Sequence, residues 1–85
     1  MDRPGRRSSR ARYHEDYEQF RALLIAARER AGLTQREAAE RLGRSQSFVA
    51  KSESGERRVD VIELGEFARI YGRPISFFVL RVGKQ

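Results

Sequence analysis

Gln46, Ser47 and Lys51 are three hydrogen-bonding side chains within a segment bounded by Gly43 and Gly55. At about 100° per residue, a helix through this segment carries Gln46, Ser47, Ala50, Lys51 and Ser54 on one side. Phe48, Val49 and Ser52 fall on the other. The first group is polar and short-armed, suited to multi-point hydrogen bonding. Nothing near it suggests catalysis, because no nucleophile–base constellation and no phosphate-cradling glycine loop accompanies it. The acids Glu15, Asp16 and Glu18 resemble a paired-carboxylate site less than the first turn of a helix, where the helix dipole favours negative charge. His14 is the chain's one histidine and has no partner at ligand spacing, so it is expected to be an exposed or capping residue rather than a metal ligand. Cysteine is absent, which removes thiolate metal sites and disulfides. Neither a cofactor nor a metal is expected, and an enzyme is rejected.

The elements that must position this face are legible in the pattern of caps. From Tyr13 to Ala31, Tyr17, Phe20, Leu24, Ala27 and Ala31 recur at spacings of three and four. That is the stripe of a first helix, with Arg28 and Arg30 in its last turn and Gly32 ending it. Thr34-Gln35-Arg36-Glu37 is a capping-box pattern for a second helix, with Ala38, Ala39 and Leu42 as its buried side and Gly43 as its stop. Ser45 is the N-cap of a third helix, which ends at Gly55. Asp60 and Glu63 repeat the cap logic for a fourth, whose apolar residues are Ile62 or Val61, Leu64, Phe67, Ala68 and Tyr71, with Gly72 closing it. Pro74 suits the first turn of a short fifth helix, although ISFFVLRV could also be a strand. The fold is expected to be all-α.

Length and charge frame these elements. With 85 residues the chain makes one small domain with a thin core. No apolar run reaches the length of a membrane span and no signal-peptide core follows the first Met, so a soluble, cytoplasmic protein is expected. The net charge of +6 is concentrated at the start, where Arg3, Arg6, Arg7, Arg10 and Arg12 face only Asp2. Residues 1–13 are therefore expected to be a flexible Arg-rich tail, either a nucleic-acid-seeking arm or a solubilising terminus. Residues 14–85 form the folded domain, with 74–85 as its dimerisation element. Phe77, Phe78 and Leu80 supply more apolar area there than a short fifth helix needs.

Gly43 lets the chain reverse, Arg44 bridges, and Ser45 restarts a helix at a steep angle. The third helix then stands out as a ridge of Gln, Ser and Lys, one α-helix wide, which fits the DNA major groove. The stretch Leu33–Arg58, LTQREAAERLGRSQSFVAKSESGERR, resembles the helix-turn-helix of the Cro/CI-type (XRE-like) DNA-binding proteins. The Thr-Gln start, Ala39, the turn Gly43, the Ser-Gln-Ser restart and the Glu-x-Gly-x-Arg-Arg exit all lie in register, and with the flanking helices the resemblance runs from about Phe20 to Val79.

This resemblance implies a compact five-helix, lambda-repressor-like DNA-binding domain. It would act as a homodimeric transcriptional regulator, a repressor, on a near-palindromic operator of double-stranded DNA. Carried over by position, Gln46, Ser47, Ala50 and Lys51 read bases. Gln35, Arg44, Ser45, Arg57 and Arg58 contact phosphates. Gln is able to pair bidentately with adenine and Lys to donate to guanine O6 and N7, which agrees independently. A phage-type repressor, a restriction–modification controller and an antitoxin fit equally. The alternative from another class is a protein-interaction adaptor. Ser52 departs from the family pattern, standing where a large apolar side chain enters the core. It should leave a loose spot or hydrogen-bond back to a helix carbonyl.

Overall fold

The structure is a computed structural model that describes residues 9–79. Five helices follow one another: α1 (Ser9–Arg30), α2 (Gln35–Leu42), α3 (Gln46–Ser54), α4 (Val61–Tyr71) and α5 (Ile75–Val79). Among the described residues there is no strand, so the ambiguous ISFFV segment is helical.

Local chemistry sets most of the boundaries. Thr34 Oγ1 accepts from the Glu37 N–H at 3.0 Å while the Glu37 carboxylate accepts from the Thr34 N–H at 2.9 Å. Asp60 and Glu63 repeat this reciprocal pair at 2.8 and 3.0 Å. Each box satisfies two N-terminal amides that a helix otherwise leaves without partners. Between α2 and α3, Gly43 takes the left-handed conformation at φ 70°, and its N–H points back to the carbonyls of Ala39 and Glu40. The Arg44 N–H reaches the Ala39 carbonyl at 3.0 Å, and the Ser45 hydroxyl already caps α3 from the Phe48 N–H. Three residues, Gly43, Arg44 and Ser45, therefore suffice to end one helix and begin the next.

Two expectations about α1 are corrected. The helix begins at Ser9 rather than Tyr13, taking in residues assigned to the basic tail; residues 1–8 lie outside the described residues. The acids Glu15, Asp16 and Glu18 consequently sit beyond the first turn, which holds no acid. Ala11 and the long unbranched Arg10 and Arg12 favour helix. Along α1, His14, Glu18 and Arg21 stand one helical turn apart, with the Glu18 carboxylate 3.7 Å from each of the others. Ala31 lies past the helix and is exposed.

The core runs between α1 and the remaining helices, with Leu24, Val49, Phe67 and Phe78 wholly enclosed beside Ala27, Ala38 and Ala39. Each large side chain contributes roughly 1.5–3 kcal/mol through burial. Small alanines on α2 let neighbouring backbones approach, and the aromatic pairs Phe48–Phe67 and Phe67–Tyr71 pack at 5.9 and 5.8 Å between ring centres. On α4, neither Val61 nor Ile62 is in the core: they are 72% and 71% exposed. Ile62 lies about 200° round the helix from Leu64, so the phase that buries Leu64, Phe67 and Tyr71 turns it outward. Val61 lines an open groove of about 440 Å³ with Tyr13, Tyr17, Leu64, Phe78 and Val79.

Candidate nucleic-acid interface

Helix α3 is held from behind by a buried ion pair. Glu53, only 5% exposed, accepts from Arg28 Nε at 2.7 Å and from Arg28 Nη2 at 3.1 Å. Arg28 also donates to the Leu33 carbonyl, and Arg21 donates to the Glu53 carbonyl at 2.8 Å. One carboxylate thus ties α1 to the end of α3. The hydrogen bonds that Arg28 donates to Glu53 hold its guanidinium above its ordinary pKa, against the opposing effect of burial. Burial, followed by the nearby Glu53 charge, raises the Tyr71 hydroxyl. Gly55, at φ 91°, ends α3 directly under the Arg21 side chain, where an added Cβ would come within 3.0 Å of Nε.

A second brace fixes the other flank. Arg57 donates to both carboxylate oxygens of Glu63, at 3.0 and 2.8 Å, and to Ser52 Oγ at 3.3 Å. Ser52 is fully buried and donates to the Phe48 carbonyl at 2.7 Å. Of its two expected states, the back-bonded one is present. The Arg57 and Arg44 guanidiniums lie 4.2 and 4.4 Å from the centre of the Phe48 ring, within cation–π range. Arg44 also stands 3.6 Å from Glu66. The Arg57 hydrogen bonds hold the Glu63 carboxyl below its usual range.

The outward face of α3 follows the expected phase. Gln46, Ser47, Lys51 and Ser54 are exposed and Ala50 is half-buried, while Val49, Ser52 and Glu53 point inward. Gln35 sits half-buried at the start of α2. Its Nε2 donates to Glu53 Oε1 at 2.9 Å, and its Oε1 lies 3.5 Å from Gln46 Nε2. Ser45 is exposed at the helix start, and the Arg58 guanidinium rests 4.3 Å from the Tyr17 ring centre on an exposed side chain. The expected residues Gln35, Arg44, Ser45, Gln46, Ser47, Ala50 and Lys51 thus gather around the α2–α3 turn and one face of α3. Arg57 is committed to Glu63.

Phe78 requires a correction. Expected at a subunit interface, it is fully enclosed within the single chain, edge-on to Phe20 at 6.4 Å. A five-residue α5 has one inward position, and Phe78 takes it. Phe77 is half-buried beneath the Arg73 guanidinium, and Leu80 lies outside the described residues. The Arg28–Glu53 pair was missed as a brace, since its members stand 25 residues apart and form no local pattern. Glu53 did carry one signal: it is four residues after Val49 and so shares its inward phase. Among the described residues, no cluster of metal-ligating side chains gathers and no helix is long and apolar enough to cross a membrane.

Comparison with known proteins places this arrangement. A family model for a helix-turn-helix domain matches residues 19–76. The fold is similar to that of a solved XRE-family like protein from Pseudomonas syringae pv. tomato str. DC3000, at 42% sequence identity and a TM-score of 0.82. That likeness covers 87% of this chain and 90% of the other. No curated protein matches. The turn at Gly43, the braced third helix and these likenesses converge: the chain belongs to the XRE-like helix-turn-helix family of DNA-binding regulators.

Proposed function

We propose that the protein is a sequence-specific transcriptional repressor that binds a near-palindromic operator as a homodimer, with α3 in the major groove. The observation that carries the reading is the exposed Gln46, Ser47 and Lys51 face on a helix braced from behind by Glu53 and Ser52. Gln46 and Lys51 supply base-edge hydrogen bonds, Ser47 adds a hydroxyl, and Ala50 meets a thymine methyl group. Ser45 and the Gln35 backbone amide offer donors at the starts of α3 and α2, with Arg44 and Arg58 as cationic phosphate partners. Arg57 acts inside the protein, ordering the segment between α3 and α4. Repression requires only occupancy of the operator.

Exposed apolar residues support the dimer. Ile75 and Val79 on α5 are 41% and 46% exposed and stand one helical turn apart, and Val79 lines the groove together with Val61 and Tyr13. Leu80, expected at the interface, lies outside the described residues.

Selection of bound sequences from a random duplex pool, paired with a salt titration, tests the function. A base reader recovers an inverted repeat and loses affinity steeply with salt, by about 0.9 in the log–log slope per phosphate contact. Gln46→Ala and Lys51→Ala should each cost about 1–3 kcal/mol on the selected site and relax preference at particular base pairs. Arg58→Ala should weaken all sequences alike. A shallow slope and no recovered sequence would assign the fold to a protein-binding adaptor, an antitoxin included.

A further inference from the structure

Three side chains form a chain of hydrogen bonds from the core to the exposed face of α3. Glu53 Oε1 accepts from Gln35 Nε2 at 2.9 Å, and Gln35 Oε1 faces Gln46 Nε2 at 3.5 Å. Its inner end is fixed by the two hydrogen bonds from Arg28 to Glu53. A carboxylate has no proton to donate, so only the amide nitrogen of Gln35 satisfies it. Turning Gln35 over would set an amide oxygen against a carboxylate oxygen, two acceptors with nothing between them. The orientation of Gln35 then dictates the next link, because its oxygen needs a donor and Gln46 supplies an N–H.

We propose that Glu53 is a positioning residue for sequence readout, setting the polarity of the Glu53–Gln35–Gln46 chain so that Gln46 presents an acceptor and a donor side by side to the DNA. This rests on the reading of α3 as the base-reading helix. With one N–H turned inward, Gln46 keeps its oxygen and its second N–H on the exposed side. Adenine offers the matching pair in the major groove, a donor at N6 and an acceptor at N7. Guanine offers two acceptors there, O6 and N7, and leaves the Gln46 oxygen facing another oxygen. With the opposite polarity, Gln46 would accept from Gln35 and turn both of its N–H groups outward, matching guanine instead. A buried acid that touches no DNA therefore biases one base pair toward adenine over guanine.

The test uses the full chain and the operator recovered by selection. Loss of preference in Gln46→Ala identifies the base pair that Gln46 reads. Affinities for that duplex and for one with guanine replacing adenine at that pair give a ratio in which any uniform loss cancels. For the wild type the ratio should be on the order of tenfold or more. In Glu53→Gln the new amide is able to donate or accept, so both polarities become open and the ratio should fall toward one. Ratios at other positions and the salt slope should be unchanged. Because Glu53→Gln also weakens the Arg28 pair, Gln35→Met provides the second variant. It cuts the chain, leaves Arg28–Glu53 intact, and should produce the same fall, to which Glu53→Gln adds nothing in the double variant. If Glu53→Gln does not fold by circular dichroism, Gln35→Met decides alone. A wild-type ratio retained in Gln35→Met, or preference lost equally at every position, overturns the proposal while the DNA reading stands. A wild type that recovers no sequence overturns both.

Discussion

Ser52 has no exposed surface and makes two hydrogen bonds, donating to the Phe48 carbonyl and accepting from Arg57. Its small volume is matched to its neighbours, since Phe48 and Val49 already fill the inner face of α3 beside it. Ser52→Leu would force three additional carbons into this space and remove the acceptor that faces Arg57. We expect it to lower stability by about 1–3 kcal/mol, seen as a lower Tm or denaturant midpoint; a higher Tm would mean that the site is underpacked. The outer face of α3 was legible in the sequence because exposure there follows the helical phase alone. Glu53 and Arg57 were not, because their positions depend on partners supplied by other elements. In the sequence Glu53 stands out only as part of an exit motif, and no local pattern joins it to Arg28 or Arg57 to Glu63. Phase identifies which residues can point inward, but whether a charge goes there depends on a distant counter-charge.

Helix boundaries were legible wherever they are written in adjacent residues. Both capping boxes, the Ser45 cap and the left-handed glycines at 43, 55 and 72 lie where local chemistry places them. The start of α1 was misplaced because an Arg-rich composition reads as unordered chain, while the helix propensity of Arg10, Ala11 and Arg12 favours continuing the helix back to Ser9. The α4 cap also carries a pH prediction. Arg57, first, and the Asp60 N–H hold the Glu63 carboxyl below its ordinary pKa, outweighing the burial that pushes it up. A carboxyl whose pKa is depressed by folding contributes stability in full above its unfolded value, about 4.3, and loses it as pH falls through the folded value. Glu63→Gln should therefore cost about 2 kcal/mol at pH 7. Its Tm should converge with that of the wild type below about pH 4. A difference that persists unchanged into acid would mean that shape, rather than charge, is what Glu63 supplies.

At the scale of the molecule, charge and apolar surface are unevenly spread, and each distribution predicts a behaviour. Arg3, Arg6 and Arg7 precede α1, so deleting residues 1–8 leaves the helix whole. If that segment contacts DNA, the deletion should weaken binding and flatten the salt slope by up to about 2.7, roughly 0.9 for each arginine that displaces a counterion. An unchanged slope would assign the segment to solubility. The apolar surface bears on assembly. One α3 reads only a few base pairs, too few to single out a site among the competing sites of a genome. Two copies related by a two-fold axis would set their third helices in successive major grooves, roughly 34–36 Å apart. The interface cannot use Phe78, which the single chain already encloses. It has available Val79 and Ile75 and the groove beside Val61. Burial of such a surface would also make stability depend on concentration, which suits a core this small. We therefore expect sedimentation at micromolar concentration to give a dimer, and Val79→Asp or Leu80→Asp to give a monomer that keeps its helical content and binds the full operator weakly. Phe78→Asp should instead unfold the chain, separating a core position from a surface one on the same short helix. A wild-type monomer that binds a single half-site with full specificity would sink the dimer.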